Sequence, residues 1–79
     1  MKKRYAIAIE KGEQNYSAYV PDVDGCVATG QTVEETTQRL QGALTAHLAW
    51  MARDGDPIPE PATSVDYVEV EVPTAVAAR

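Results

Sequence analysis

The chain predicts an α+β domain of element order β-β-β-α-β, a four-stranded mixed sheet with one amphipathic helix on one face. Three observations carry that expectation. Apolar and polar residues alternate with a period of two near both ends of the chain, as they do in half-buried strands. The run Thr32-Val33-Glu34-Glu35 is a capping sequence that opens a long stretch of helical spacing. A length of 79 residues holds one domain and not two. Residues 1–73 are expected to form that domain, and residues 74–79 a short tail with little to hold it.

The first strand, residues 4–10, sets Tyr5, Ile7 and Ile9 on the better-buried face and Ala6, Ala8 and Glu10 on the other. Lys11-Gly12-Glu13-Gln14-Asn15 is polar and contains a glycine, as a hairpin loop should. Residues 16–20 form the return strand, rich in aromatic and small side chains. Pro21 ends it, because proline has no N–H for a ladder. Pro21-Asp22-Val23-Asp24-Gly25 makes a tight connection, in which aspartate can bond nearby backbone and glycine can take a positive φ. Residues 26–29 are then a short third strand, closed by Gly30.

The helix is expected from Val33 to about Arg53. In a capping box the Thr32 hydroxyl accepts from the Glu35 N–H, and the Glu35 side chain reaches back to the Thr32 N–H. Val33, Leu40, Leu44, Leu48 and Met51 share one stripe, with Thr36, Thr37, Ala43 and His47 in or beside it. Arg53 suits the negative end of the helix and Gly55 the position just past it. Pro57, Pro59 and Pro61 make the next segment a stiff, extended connector. Residues 65–72 then alternate Val68, Val70 and Val72 with Tyr67, Glu69 and Glu71, and read as the last strand. The crossover is long enough to place that strand beside the first.

Composition narrows the function classes. Twelve acidic side chains stand against seven basic ones, a net charge of −5. Such a surface binds nucleic acid poorly and suits a basic protein partner. Lys2-Lys3-Arg4 is a solvated basic end. One cysteine and one histidine exclude an internal disulfide and a cysteine-rich zinc site, so no cofactor and no metal site is expected. Cys26 reads as a small buried residue of the third strand and His47 as a packed residue of the helix stripe. No apolar run is long enough for a membrane span and no signal-like stretch follows Met1, so the expected compartment is the cytoplasm.

Longer motifs carry a family resemblance. A tyrosine-rich hairpin is followed by Val20-Pro21-Asp22-Val23-Asp24-Gly25-Cys26-Val27. Next come Gly30-Gln31-Thr32-Val33-Glu34-Glu35, the amphipathic helix, and Asp54-Gly55-Asp56-Pro57-Ile58-Pro59-Glu60-Pro61. This order resembles the N-terminal domain of HicB-type antitoxins, over about Tyr5 to Val72. The resemblance implies a partial RNase H-like fold with the strand order read above. It also implies membership of a type II toxin–antitoxin pair. There the antitoxin blocks HicA, a small basic toxin resembling a double-stranded-RNA-binding domain, which cleaves mRNA with a histidine. Many members of the family carry a further DNA-binding domain. After Pro73 only Thr-Ala-Val-Ala-Ala-Arg follows here, so direct DNA binding is not expected of this chain.

A working RNase H-like site needs carboxylates converging on metal ions, one of them within the first strand. That strand holds no acid before Glu10, so the chain is expected not to be an enzyme. The leading expectation is a non-catalytic antitoxin that occludes a HicA-like ribonuclease. The alternatives are a solo HicB-like oligomer of structural or regulatory role and, third, a vestigial or active nuclease. The candidate partner contacts are Asp22, Asp24, Glu69 and Glu71, for their charge, and Trp50, as an anchor at the edge of the helix stripe. Self-association into a homo-oligomer is expected as well, because one helix leaves a sheet face, assigned to Tyr16 and Ala18, uncovered.

Overall fold

Short polar loops let a strand pair only with its sequence neighbours, and the sheet is built that way. In the computed structural model, which describes residues 1–74, β1 (Ala8–Lys11), β2 (Tyr16–Tyr19) and β3 (Val27–Gly30) form an antiparallel sheet in the order β1-β2-β3. The expected tail at 74–79 falls, from residue 75 on, outside the described residues. Ile9, Ala18 and Ala28 stand opposite one another. Ala18 and Val20 are buried on that face, with Ile7 and Ala28 packed beside them. Tyr16 shares the parity of Ala18 and therefore its face. The pleat thus turns Tyr16 and Ala18 toward the helix, not toward the uncovered side. The open face carries the row Ala8, Tyr19 and Val27, of which Tyr19 and Val27 are exposed.

The ladder of β1 starts at Ala8, later than residue 4, because its partner runs out. The register that sets Ala8 opposite Tyr19 would set Ala6 opposite Pro21, which has no N–H to offer. Tyr5 and Ile7 still pack against the core from this extended lead-in, on the face the alternation assigns them. Beyond β2 the chain closes a tight turn. The Val23 N–H bonds the Val20 carbonyl at 3.1 Å, the Val20 N–H bonds the Cys26 carbonyl at 3.3 Å, and Gly25 takes φ 78°.

The helix α1 (Val33–Arg53) packs on β3 and β2. Its caps explain both ends. The Thr32 hydroxyl accepts from the Glu35 N–H at 3.0 Å, as a capping box requires, but the Glu35 carboxylate reaches one residue further back and takes the Gln31 N–H. At the other end the Gly55 N–H bonds the Ala52 carbonyl and the Asp56 N–H bonds the Met51 carbonyl, with Gly55 at φ 78°. That is the paired bonding of a Schellman stop. The buried stripe is shorter than the apolar one. Leu40 is fully buried, Leu44, Leu48, His47 and Met51 are half-buried, and Val33 and Ala43 are exposed. Thr36 is fully buried too, its hydroxyl donating to the Thr32 carbonyl at 2.7 Å. The core is Ala18, Val20, Val23, Cys26 and Leu40.

The fourth strand is the main correction. Among the described residues the sheet has three strands, and residues 65–72 are exposed and unpaired. The crossover does return to the first segment. The Tyr5 hydroxyl donates to the Pro59 carbonyl at 2.6 Å, Lys3 pairs with Glu60 at 2.9 Å, and residues 63–67 pass Ile7, Ala8 and Ile9. The segment lies beside them without forming a ladder, because pairing also needs backbone N–H and C=O groups brought into register, which an alternating side-chain pattern does not set. The alternation of valine and glutamate marks a chain fit for a sheet but does not say which sheet. The radius of gyration, 16.1 Å, exceeds the about 12 Å of a compact chain this long.

Two glycines test the packing with opposite signs. A Cβ at Gly30 would lie 2.6 Å from the Thr36 hydroxyl oxygen and 2.9 Å from its backbone nitrogen. Gly30→Ala is expected to cost about 1–3 kcal/mol in urea unfolding, as overpacking does. Gly42, on the exposed side of α1, has nothing within 4 Å of a built Cβ. Gly42→Ala is expected to stabilise by up to about 1 kcal/mol. Equal shifts for the two would contradict this seating of helix on sheet.

Candidate functional site

The turn after β2 holds the first group of polar residues. Asp22 stands where proline has just ended the strand, so its carboxylate is free to bond another segment. It accepts the Ala62 N–H at 2.9 Å, the Thr63 N–H at 3.0 Å and the Thr63 hydroxyl at 2.8 Å. These bonds, the one from the Thr63 backbone foremost, hold the Asp22 carboxyl below its ordinary pKa of 3.8. Asp22 is therefore a clasp that fixes where the proline connector ends and residues 65–72 begin. Asp24 lies exposed in the same turn. Glu69 and Glu71 lie on the exposed extended segment.

The C-terminal end of α1 holds the second group. Trp50 is 63% exposed, more than a peripheral core residue would be. With His47, Met51, Asp54 and Asp56 it lines a shallow recess of about 270 Å³. The Schellman stop turns the chain at Gly55 and so brings Asp56 back to the indole. An indole that shares a recess with two carboxylates is chemically suited to a guanidinium or ammonium group. Asp54 and Asp56 were not among the expected contacts. Their signal was the acidic pair around Gly55, and the turn that aims them at Trp50 is the part that spacing alone does not show.

A longer apolar groove of about 930 Å³ runs between the N-terminal segment and the helix. Lys3, Tyr5, Leu44, Leu48, Ile58 and Glu60 line it. Glu60 raises the pKa of Lys3 by bonding its ammonium group. This tie joins residues 57 apart in sequence and has no local signature.

Reactive chemistry has little to work with here. Cys26 is buried in the core, and that burial pushes its thiol pKa up, away from the nucleophilic thiolate. His47 faces the tryptophan recess. Among the described residues no group of three or more His, Cys, Asp or Glu side chains is placed to hold a metal ion. No helix of the described residues is long and apolar enough to cross a membrane.

Comparisons with known proteins show what the chain is similar to. A family model described as the HicB-like antitoxin of bacterial toxin–antitoxin systems matches residues 5–75. The chain is 32% identical over 76 residues to a protein named Antitoxin HicB 2 of Photorhabdus laumondii, covering 96% of this chain and 54% of that protein. It is 33% identical over 64 residues to an uncharacterized 14.9 kDa protein of Haemophilus phage HP1, covering 81% of this chain and 48% of the phage protein. The chain thus spans about half the length of these curated relatives. A chain of a solved structure, the HicA3 and HicB3 toxin–antitoxin complex, superposes with a TM-score of 0.65 at 30% identity. That match covers 76% of this chain and 70% of the other.

The Asp22 clasp has a definite pH dependence. Its folded pKa is depressed, so its contribution is present above about pH 3.8 and is lost as pH falls through the lower folded value. In an NMR titration the Ala62 and Thr63 amide signals are expected to move together with a midpoint below 3.8, and Asp22→Ala is expected to abolish that movement. A midpoint at or above the ordinary value would show that the clasp is not closed in solution.

Proposed function

Because the chain belongs to the HicB-like antitoxin family of bacterial toxin–antitoxin systems, we propose that it is a non-catalytic antitoxin. In this reading it binds a small basic HicA-type ribonuclease and occludes its active site and RNA path in the cytoplasm. The observation that carries the reading is the uncompensated acidic surface beside an exposed aromatic anchor. Only Glu35 and Glu60 are ion-paired among the described residues, against a net charge of −5. Trp50 is exposed and shares a recess with Asp54 and Asp56.

The mechanism is association, not chemistry. Free carboxylates at the helix end, at Asp24 and on residues 65–72 draw a cationic protein in and disfavour neutral or acidic ones. Trp50 then supplies desolvated contact area of the kind that dominates interface energies. Asp22 acts indirectly, by fixing the segment that carries Glu69 and Glu71. A toxin that recognises RNA presents cationic groups arranged for phosphate, and a carboxylate surface competes for those same groups.

Binding, association-rate and cleavage measurements test this. Calorimetric titration with a HicA-type toxin should show binding that weakens steadily as salt rises from low to physiological strength. Trp50→Ala should weaken binding by about 10-fold or more, corresponding to the loss of one interface hot spot. Asp54→Asn with Asp56→Asn should mainly slow association. Salt-independent binding, or binding indifferent to Trp50, would move the interface elsewhere on the domain. RNA cleavage by the toxin that continues in the saturated complex would refute occlusion itself.

A further inference from the structure

We propose that His47 gates the recess at the C-terminal end of α1: with a neutral imidazole the recess takes one guanidinium group of a partner, and with a protonated one it releases that group. The proposal rests on the reading of the helix end as a contact for a cationic protein, and it adds what regulates that contact.

The recess is one helix stripe closed by a turn. His47, Trp50, Met51 and the cap residue Asp54 stand at i, i+3, i+4 and i+7, so they share a face. Gly55, at φ 78°, turns the chain back and adds Asp56 to the lining. The chain has one histidine and one tryptophan, and they meet here. His47 is half-buried in the wall, and among the described residues its ring is ion-paired with no carboxylate.

Charge gives the gate its direction. With a neutral ring the lining carries two carboxylates and no cation, beside an exposed indole. That combination attracts a guanidinium group. A proton on His47 puts a resident cation into the same recess of about 270 Å³. It offsets one carboxylate and repels the arriving cation. In a shallow, wet recess one unit charge changes affinity by about three- to tenfold.

The surrounding groups leave this role to His47. Ordinary carboxylates keep their charge from about pH 5.5 to about pH 8, and imidazole is the side chain that ordinarily changes charge there. Of the strands packed on α1, β3 carries no charged or titratable side chain and β2 only the phenols of Tyr16 and Tyr19. The turn between them holds Asp22, bonded to the connector, and Asp24. Arg53, in the last turn of α1, is a fixed cation outside the lining. Linkage then supplies a second observable. A proton that weakens guanidinium binding is itself weakened by bound guanidinium, by the same factor. The bound cation favours the neutral ring, so the His47 midpoint moves to lower pH.

The test uses the full chain and N-acetylarginine amide, which carries one fixed positive charge across this range. Trp50, the sole indole, reports binding by fluorescence, and His47, the sole imidazole, reports its own proton by NMR. The dissociation constant at about pH 5.5 is expected to be about three to ten times that at about pH 8. Saturating probe should lower the His47 midpoint by about half a pH unit to one unit. His47→Gln should bring the ratio of the two constants to about one, with the circular-dichroism signal of α1 retained. Asp54→Asn with Asp56→Asn should weaken binding at both pH values. A ratio near one for the unaltered chain would overturn the proposal, as would a ratio that survives His47→Gln. So would a probe that leaves the His47 midpoint or the Trp50 fluorescence where it was. No toxin takes part, so a flat ratio counts against the gate alone, and a toxin indifferent to Trp50 counts against the toxin contact alone.

Discussion

The seating of α1 on the end of β3 is the constraint from which the rest follows. Gly30 lets the backbone of β3 come within reach of Thr36, and Leu40, one turn further along, fills the space over Ala18, Val20 and Val23. With one helix and three short strands, that contact uses up the apolar side chains available for a core. Everything else lies at the surface: one open sheet face, a proline connector tied to the N-terminal segment, and an extended arm. A domain this small has a low ratio of buried to exposed surface.

The connector shows how a segment without a ladder is held. Pro57, Pro59 and Pro61 have no N–H to pair, so side chains do the holding. The Tyr5 hydroxyl takes the Pro59 carbonyl, Lys3 takes Glu60, and Asp22 takes the two amides and the hydroxyl that follow. The exposed ion pair adds little stability by itself. Its value is positional, because three anchors in sequence define the path of the chain from the helix end to the sheet edge.

Much of this was legible in the residues. The helix bounds, Thr32 as cap and Gly55 as stop came from local chemistry that acts over four residues or fewer, which is why they could be read directly. Cys26 as a core residue followed from its place at the start of a short strand. Crossover length predicts the last strand beside the first; what returns instead is the proline connector, through Pro59, Glu60, Ala62 and Thr63. The last strand was misplaced because alternation reports how a segment would meet a sheet, while the backbone register that makes a ladder is tertiary and has no local signature. The uncovered face was misassigned at Tyr16 and Ala18 for a related reason: parity is easy to read, but its sign depends on which side the helix packs. The recess around Trp50 was half legible. The tryptophan stood out, but the turn that brings Asp56 to it is tertiary.

The acidic surface is better understood as three populations than as one field. Glu34, Glu35 and Glu60 are committed to the helix N-terminus or to ion pairs, and Asp22 to the connector. Asp54 and Asp56 have their backbone N–H groups bonded in the helix stop and line one recess with an indole. Glu69 and Glu71 ride on a segment whose only fixed point is its root. Rigid acids next to an aromatic ring give selectivity, since a partner must bring its cation to one place. Acids on an extended segment give reach, because they stand away from the body of the domain. These are different physical contributions to the recognition of one cationic partner. The division of the charge is thus the reason to assign selectivity to the helix end and reach to residues 65–72.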